Sequence, residues 1–249
     1  MTEDWQERTE LLLGEKKLRK ISNSRILVVG LGGVGAYAAE MLCRAGVGHL
    51  HIIDADIIHA SNRNRQLLAL KSTEGESKAE LMKQRLLDIN PNLKITAERQ
   101  FITGEISKEL LSHKFDYIVD AIDSISPKIF LIANALKENI PIISSMGSGG
   151  KTNPTKIHIA DFKETYNDKL ARMLRKRMHK MGIYGGFKVV FSSEQTDPNA
   201  VKFIDNERNK KTTVGTLSYM PAMFGSFMAA EIIRELAEIQ DFSLADNNR

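Results

Sequence analysis

The chain alternates short apolar runs with longer stretches in which apolar residues return every three or four positions. Residues 25–30 (RILVVG) and 49–54 (HLHIID) are dominated by branched apolar side chains, the pattern of strands buried on both faces of a parallel sheet. Residues 78–88 carry leucine and methionine at helical spacing, and PNLKI opens a further strand. FDYIVDAID (115–123) reads as a strand, SPKIFLIANALKEN (126–139) as a helix and IPIISSMG (140–147) as a fifth strand. Strand and helix thus follow one another in the order that builds a parallel sheet covered on both sides.

Beyond residue 150 the rhythm loosens. TKIHIADF and FKVVFSS are predicted strands, separated by a helical stretch over 168–180, while residues 195–214 are polar and aperiodic, the pattern of a mobile loop. A last helix is predicted over 221–236, opened by Pro221 where a missing N–H costs nothing. The fold class predicted is α/β. A Rossmann-like parallel sheet with an N-terminal helix occupies residues 1–150, and a C-terminal mixed α/β elaboration occupies 151–249, the two forming one compact domain.

Composition changes this picture little. A chain of 249 residues with 42% hydrophobic residues can bury a substantial core. Its 35 basic and 31 acidic residues leave a formal charge of +4, so any surface for a polyanion must come from clustering. The single cysteine, Cys43, excludes an internal disulfide and a four-cysteine zinc site within one chain, and points to a reducing compartment. Residues 1–20 lack an apolar signal core, and no run approaches the roughly 18 apolar residues of a membrane span. A cytoplasmic protein without membrane attachment is expected.

The candidate chemistry begins at the first strand-to-helix turn. Gly30, Gly32 and Gly35 fit G-x-G-x-x-G, with Gly33 in the same turn and Asp54 nineteen positions after Gly35, at the end of the second strand. Glycines let the backbone turn sharply and let phosphate approach a helix N-terminus, where unpaired N–H groups and the dipole favour an anion. The acid can accept hydrogen bonds from ribose hydroxyls of a dinucleotide or of ATP alike. After Asp54 and Asp56 come Asn62, Arg63, Asn64, Arg65 and Gln66, and then Lys78 at the head of a helix. ATP attacked at its α-phosphate needs cations along the triphosphate, which Arg65 and Lys78 could supply, although a single Arg or Lys is more often a solvated surface charge. VDAIDS sets Asp120 and Asp123 at the C-terminal end of a buried strand, the edge where open parallel sheets bind ligands. A carboxylate there suits Mg²⁺, which takes one or two carboxylates plus phosphates, and it is assigned to Asp123. The bland reading is that Asp123 or Ser124 caps the following helix, and Asp120 reads as structural.

GLGGVG, DAD, NRNRQ, the lysine of GESKAE and DAID together resemble the adenylating domain shared by ubiquitin-activating enzymes and bacterial activators of sulfur-carrier proteins. The resemblance implies a homodimer that couples a carboxylate to AMP, with Asp54 on ribose, Arg65 and Lys78 on phosphates and Asp123 on Mg²⁺. Asp56, Asn62, Gln66 and Ser124 complete the implied ATP contacts. Arg8, in ERTELLLGEKKL, matches an arginine that reaches into the partner's ATP site. Within that group ERTELLLGEKKL, SNRNRQ, DAIDSISPK, SSMGSGGKTNPTKIHIAD, LARMLRKRMHK and TVGTLSYMPAMFG are similar to the tRNA threonylcarbamoyladenosine dehydratases. The implied reaction adenylates the threonine carboxylate of a modified adenosine in tRNA, and attack from within the same nucleoside closes a ring and releases AMP.

Two features of the residues agree with that branch. Carrier-protein activators that form a thioester need a cysteine after the adenylation motifs, and none follows residue 43. Cys43 itself reads as core packing. Nor is there a CxxC zinc pair. Residues 168–182 (DKLARMLRKRMHKMG) set Lys169, Arg172, Arg175, Lys176, Arg177 and Lys180 against one acid, a candidate tRNA surface with Leu170, Met173, Leu174, Met178 and Met181 turned inward. Arg172, Arg175, Lys176 and Arg177 are the named phosphate contacts. The alternative is an adenylating activator of a ubiquitin-like sulfur carrier. A hydride-transferring dehydrogenase and a non-catalytic nucleotide sensor rank below it. Whether a sulfur-relay protein assists stays open.

Overall fold

The structure, a computed structural model, describes residues 4–203 and 212–239. Helices α1 (Glu7–Leu13) and α2 (Glu15–Asn23) lead into β1 (Arg25–Val29), α3 (Gly35–Arg44), β2 (His49–Ile53), α4 (Lys78–Ile89) and β3 (Lys94–Glu98). The chain continues through α5 (Gly104–Leu110), β4 (Tyr117–Asp120), α6 (Ile125–Lys137) and β5 (Ile142–Ser145). After these come β6 (Ile157–Asp161), α7 (Lys169–Met178), β7 (Lys188–Ser192), β8 (Val201–Phe203), β9 (Thr212–Val214) and α8 (Tyr219–Leu236).

Seven strands form one sheet in the order β3-β2-β1-β4-β5-β7-β6, parallel except for β6, which runs antiparallel to β7. The order reverses at β1, whose neighbours are β2 on one side and β4 on the other. A crevice therefore opens beyond the carboxyl ends of β1 and β4, the place where such sheets take ligands. Successive side chains point to opposite faces. Ile26 and Val28 join a core with α3, α4 and α8, whereas Leu27 and Val29 join one with α5, α6 and α7. Each such side chain, fully buried, contributes about 1.5–3 kcal/mol.

The glycine turn is built by close approach. Gly30 has φ +91°, and a Cβ on it would stand 2.7 Å from the Ala121 carbonyl oxygen. A Cβ on Gly35 would stand 1.8 Å from the Gly30 carbonyl oxygen, so α3 can start only this close to β1 without a side chain.

Several boundaries differ from the sequence expectation. The strand expected over 115–123 ends at Asp120, and residues 121–123 form the turn that carries Asp123. The last helix begins at Tyr219, two residues before the proline. The stretch 195–214 is not a plain loop: a 3₁₀ turn at Pro198–Ala200 leads into β8, which pairs antiparallel with β9, and residues 204–211 lie outside the described residues. Among the described residues no helix is long and apolar enough to cross a membrane.

Candidate active site

Asp54 follows β2 and ties the two halves of the first βαβ unit together. Its Oδ2 accepts the Leu31 N–H at 2.5 Å and its Oδ1 accepts the Asp56 N–H at 2.8 Å. Each oxygen keeps a lone pair for a further donor. Burial holds the Asp54 carboxyl above the ordinary aspartate range, although Lys78 and the two amides oppose this. Lys78 opens α4 and is buried, its ammonium 2.9 Å from the exposed Asp56 Oδ2. Asp54, Asp56 and Lys78 are thus brought together beside the glycine turn. Within that turn the Cβ position of Gly32 meets only the Gln66 Nε2 at 3.7 Å, whereas that of Gly33 faces Pro221 of α8 at 3.0 Å. Gly32 is the open side of the turn, and Gly33 is covered.

The Asn/Arg-rich segment divides into two roles. Asn62 is buried and its Oδ1 accepts the His59 N–H at 3.0 Å, which shapes the 3₁₀ turn Ala60–Asn62. Arg65 is half-buried, donating to the Ser61 carbonyl at 2.9 Å and to Asn64 Oδ1 at 2.7 Å. Gln66 Oε1 is buried without a hydrogen-bond partner, an acceptor left over beside Gly32. Such an orphan normally signals a missing donor.

Across the crevice, Asp120 is fully buried and paired with Lys128, as its structural reading required. Asp123 stands exposed three residues later, at the carboxyl edge of β4. Ser124 occupies the N-cap position of α6, but its hydroxyl donates to Asp123 Oδ1 at 3.3 Å rather than accepting from the first-turn amides. Among the described residues no group of three or more His, Cys, Asp or Glu could hold a metal. A divalent ion at Asp123 would therefore need phosphate oxygens as further ligands, which fits Mg²⁺ and a triphosphate.

Two expected residues stand apart. Arg8 lies exposed on α1 and, among the described residues, makes no hydrogen bond or ion pair with the others. Beside it Leu11 and Leu12 are 86% and 84% exposed. On α7, Asp168 caps the helix by accepting the Ala171 N–H at 2.8 Å, and Ala171, Leu174 and Met178 face the core. Met173 and Met181, expected inward, are each half exposed. Met173 lies on the side of α7 away from residues 171, 174 and 178, and Met181 lies beyond the end of α7, in the 3₁₀ turn His179–Met181. Arg175 is also different from expectation, because it is half-buried, donates to the Thr165 carbonyl at 2.8 Å and stands over the Phe162 ring. Arg172, Lys176 and Arg177 remain exposed, and Arg177 reaches Ser126 at 3.2 Å in the first turn of α6. The basic face therefore adjoins the loop that carries Asp123.

The sequence reading missed the residues that close the site. Asn64 Nδ2 donates to the Thr216 carbonyl at 3.0 Å, and Tyr219 donates to the Thr152 carbonyl at 2.8 Å, so residues 216–221 cover the glycine turn and the loop after β5. Lys151 is buried, its ammonium directed at the Asn167 carbonyl at 3.3 Å, and burial pulls it below the usual lysine range. Cys43 is fully buried, with its thiol pushed up to about 12 by burial, so it is no nucleophile.

Comparison with known proteins agrees with this architecture. The chain is 39% identical over 236 residues to the tRNA threonylcarbamoyladenosine dehydratase of Bacillus subtilis (strain 168), covering 92% of this chain and 93% of that one. It is 40% identical over 181 residues to the enzyme of that name from Escherichia coli (strain K12), covering 72% and 68%. The crystal structure of the E. coli tRNA N6-threonylcarbamoyladenosine dehydratase in complex with ATP superimposes with a TM-score of 0.86 at 33% identity, covering 95% of this chain and 96% of that one. The model of the ThiF family matches residues 6–248. Matched over nearly its whole length by that model, the chain belongs to the ThiF family.

Proposed function

We propose that the chain is an ATP-dependent tRNA threonylcarbamoyladenosine dehydratase that works as a homodimer in the cytoplasm with Mg²⁺. One observation carries the chemistry. Asp54 and Lys78 lie beside the glycine turn and Asp123 follows the neighbouring strand β4, which supports reading Gly32 as the open phosphate turn, Asp54 as ribose acceptor, Lys78 as phosphate cation and Asp123 as the Mg²⁺ carboxylate. The near full-length likeness to enzymes named for this reaction supports the substrate.

ATP would lie with its ribose on Asp54 and its phosphates over Gly30, Gly32, Gly33 and Gly35. Gln66 and Asn62 would complete the nucleotide contacts, and Ser124 would steady Asp123 through its hydroxyl. An oxygen of the threonine carboxylate attacks the α-phosphorus, and the bond to pyrophosphate breaks. Charge growing on the phosphoryl oxygens is matched by Arg65 and Lys78. Mg²⁺ bound by Asp123 would neutralise the triphosphate. A nucleophilic atom of the same nucleoside then attacks the acyl carbon, and AMP leaves with the carboxylate oxygen. The net change is loss of water from the nucleoside at the cost of ATP hydrolysed to AMP and pyrophosphate. No protein nucleophile is required, in keeping with the buried, high-pKa thiol of Cys43.

Arg8 would act on the partner's nucleotide, carried by an α1 whose exposed leucines dock on that partner. The exposed cations of α7 would hold tRNA phosphates. The test is pyrophosphate exchange into ATP. It should appear with tRNA bearing threonylcarbamoyladenosine and not with a glycine-ended carrier protein. Exchange driven by the carrier alone would favour the sulfur-carrier alternative.

A further inference from the structure

Lys128 lies on the face of α6 that packs against the sheet, beside Ile129, Leu131 and Ile132, and it is fully buried. Its ammonium is 2.8 Å from Asp120 Oδ2, and that carboxylate is fully buried too. The pair has three more partners. Ser144 on β5 donates to Asp120 Oδ2 at 2.7 Å, the Ile122 N–H donates to Asp120 Oδ1 at 3.2 Å, and Lys128 Nζ donates to the Ile122 carbonyl at 3.0 Å. One ion pair therefore grips both polar backbone groups of the residue just before Asp123. The Ile122 carbonyl shares a planar peptide unit with the Asp123 nitrogen, so the lysine sets the plane from which Asp123 departs.

The other side of the turn is equally constrained. A Cβ on Gly30 would stand 2.7 Å from the Ala121 carbonyl oxygen, and one on Gly35 would stand 2.9 Å from the Ala121 Cβ. The turn 121–123 is thus clamped between a buried ion pair and the phosphate-binding turn. Stability alone is a weak reason for this arrangement, because well-packed apolar residues usually replace a buried ion pair at little loss.

We propose that Lys128 is a positioning residue for the adenylation step. Through Asp120 and both backbone groups of Ile122 it holds Asp123 at the height of the phosphates above Gly30 and Gly32. Lys128 touches neither nucleotide nor tRNA. The proposal rests on the assignment of Asp123 to Mg²⁺ made above.

The experiment measures ATP binding by calorimetry in EDTA and in excess Mg²⁺, without tRNA, so that no turnover contributes. The variants are Lys128→Met, Asp120→Asn/Lys128→Met and Asp123→Ala. The double variant removes both buried charges and keeps the folded state accessible should Lys128→Met alone strand the Asp120 charge. Circular dichroism establishes folding. The expected result is an unchanged affinity in EDTA and loss of the Mg²⁺-dependent gain, with metal affinity lower by about 10–100-fold, the usual effect of removing a residue that orients a metal ligand. A merely structural lysine would leave the ratio of the two affinities unaltered. The proposal is overturned if a folded Lys128 variant keeps the full Mg²⁺ gain while Asp123→Ala loses it. If Asp123→Ala also keeps the gain, the metal assignment itself is wrong and the proposal falls with it.

Discussion

Asp54 joins a fold role, visible in its hydrogen bonds, to the ribose role proposed for it. It pins the glycine turn to β2 through the Leu31 amide, and burial raises its carboxyl above the ordinary range. With a folded pKa above the unfolded one, its contribution to stability is full below the unfolded pKa and is lost as pH rises through the folded value. The proposed hold on ribose has the opposite dependence, because the anion would be the acceptor. ATP affinity should therefore weaken on acidification, starting at a higher pH than for a free aspartate, and calorimetry of Asp54→Asn over the same pH series should show no such inflection. A flat wild-type profile would contradict the ribose assignment. Asp54 and Asp123 are legible in the sequence because each follows an apolar strand, Asp54 directly and Asp123 three residues on, at the carboxyl edge where such sheets take ligands. Lys128 carries a signal of its own, a lysine on the apolar stripe of the helix after DAID, though the sequence does not say which acid it meets. Lys151 carries none, since its burial arises from loops that meet only in three dimensions.

Among the elements, β1, β2, β4 and β5 are legible because burial on both faces leaves continuous apolar runs. The β8 and β9 ribbon is not, because three-residue strands are too short to show a period. Helix α7 was legible as a basic amphipathic helix, but the fate of each cation was not. Arg175 is turned onto Thr165 and Phe162, while Arg172, Lys176 and Arg177 face solvent. Replacing those three with glutamine should weaken tRNA binding and lower the slope of log affinity against log salt by about 0.7–0.9 per lost phosphate contact, leaving ATP affinity unchanged. Arg175→Gln should instead lower the melting temperature and leave the salt slope intact. Titrations over a salt series with each variant decide this, and an unchanged slope in the triple variant would make α7 an ordinary solvated face.

At the scale of the whole molecule, one chain brings Asp54, Asp56 and Lys78 together beside the glycine turn, whereas Arg8 sits on an exposed helix with two exposed leucines. If Arg8 completes the partner's site, mixing inactive Arg8→Ala chains with inactive Asp123→Ala chains should restore activity, because one site of each mixed dimer is intact. No recovery despite demonstrated mixed dimers would place Arg8 outside catalysis in trans. The central claim is that the nucleoside's carboxylate is activated as an adenylate before the ring closes. Its most direct measurement uses tRNA whose threonylcarbamoyladenosine carries ¹⁸O in the carboxylate, incubated with ATP and the enzyme and followed by mass spectrometry. The account predicts one ¹⁸O in the phosphate of the AMP formed, alongside a nucleoside lighter by one water. Label appearing in inorganic phosphate with ADP as the product, or unlabelled AMP, would contradict it.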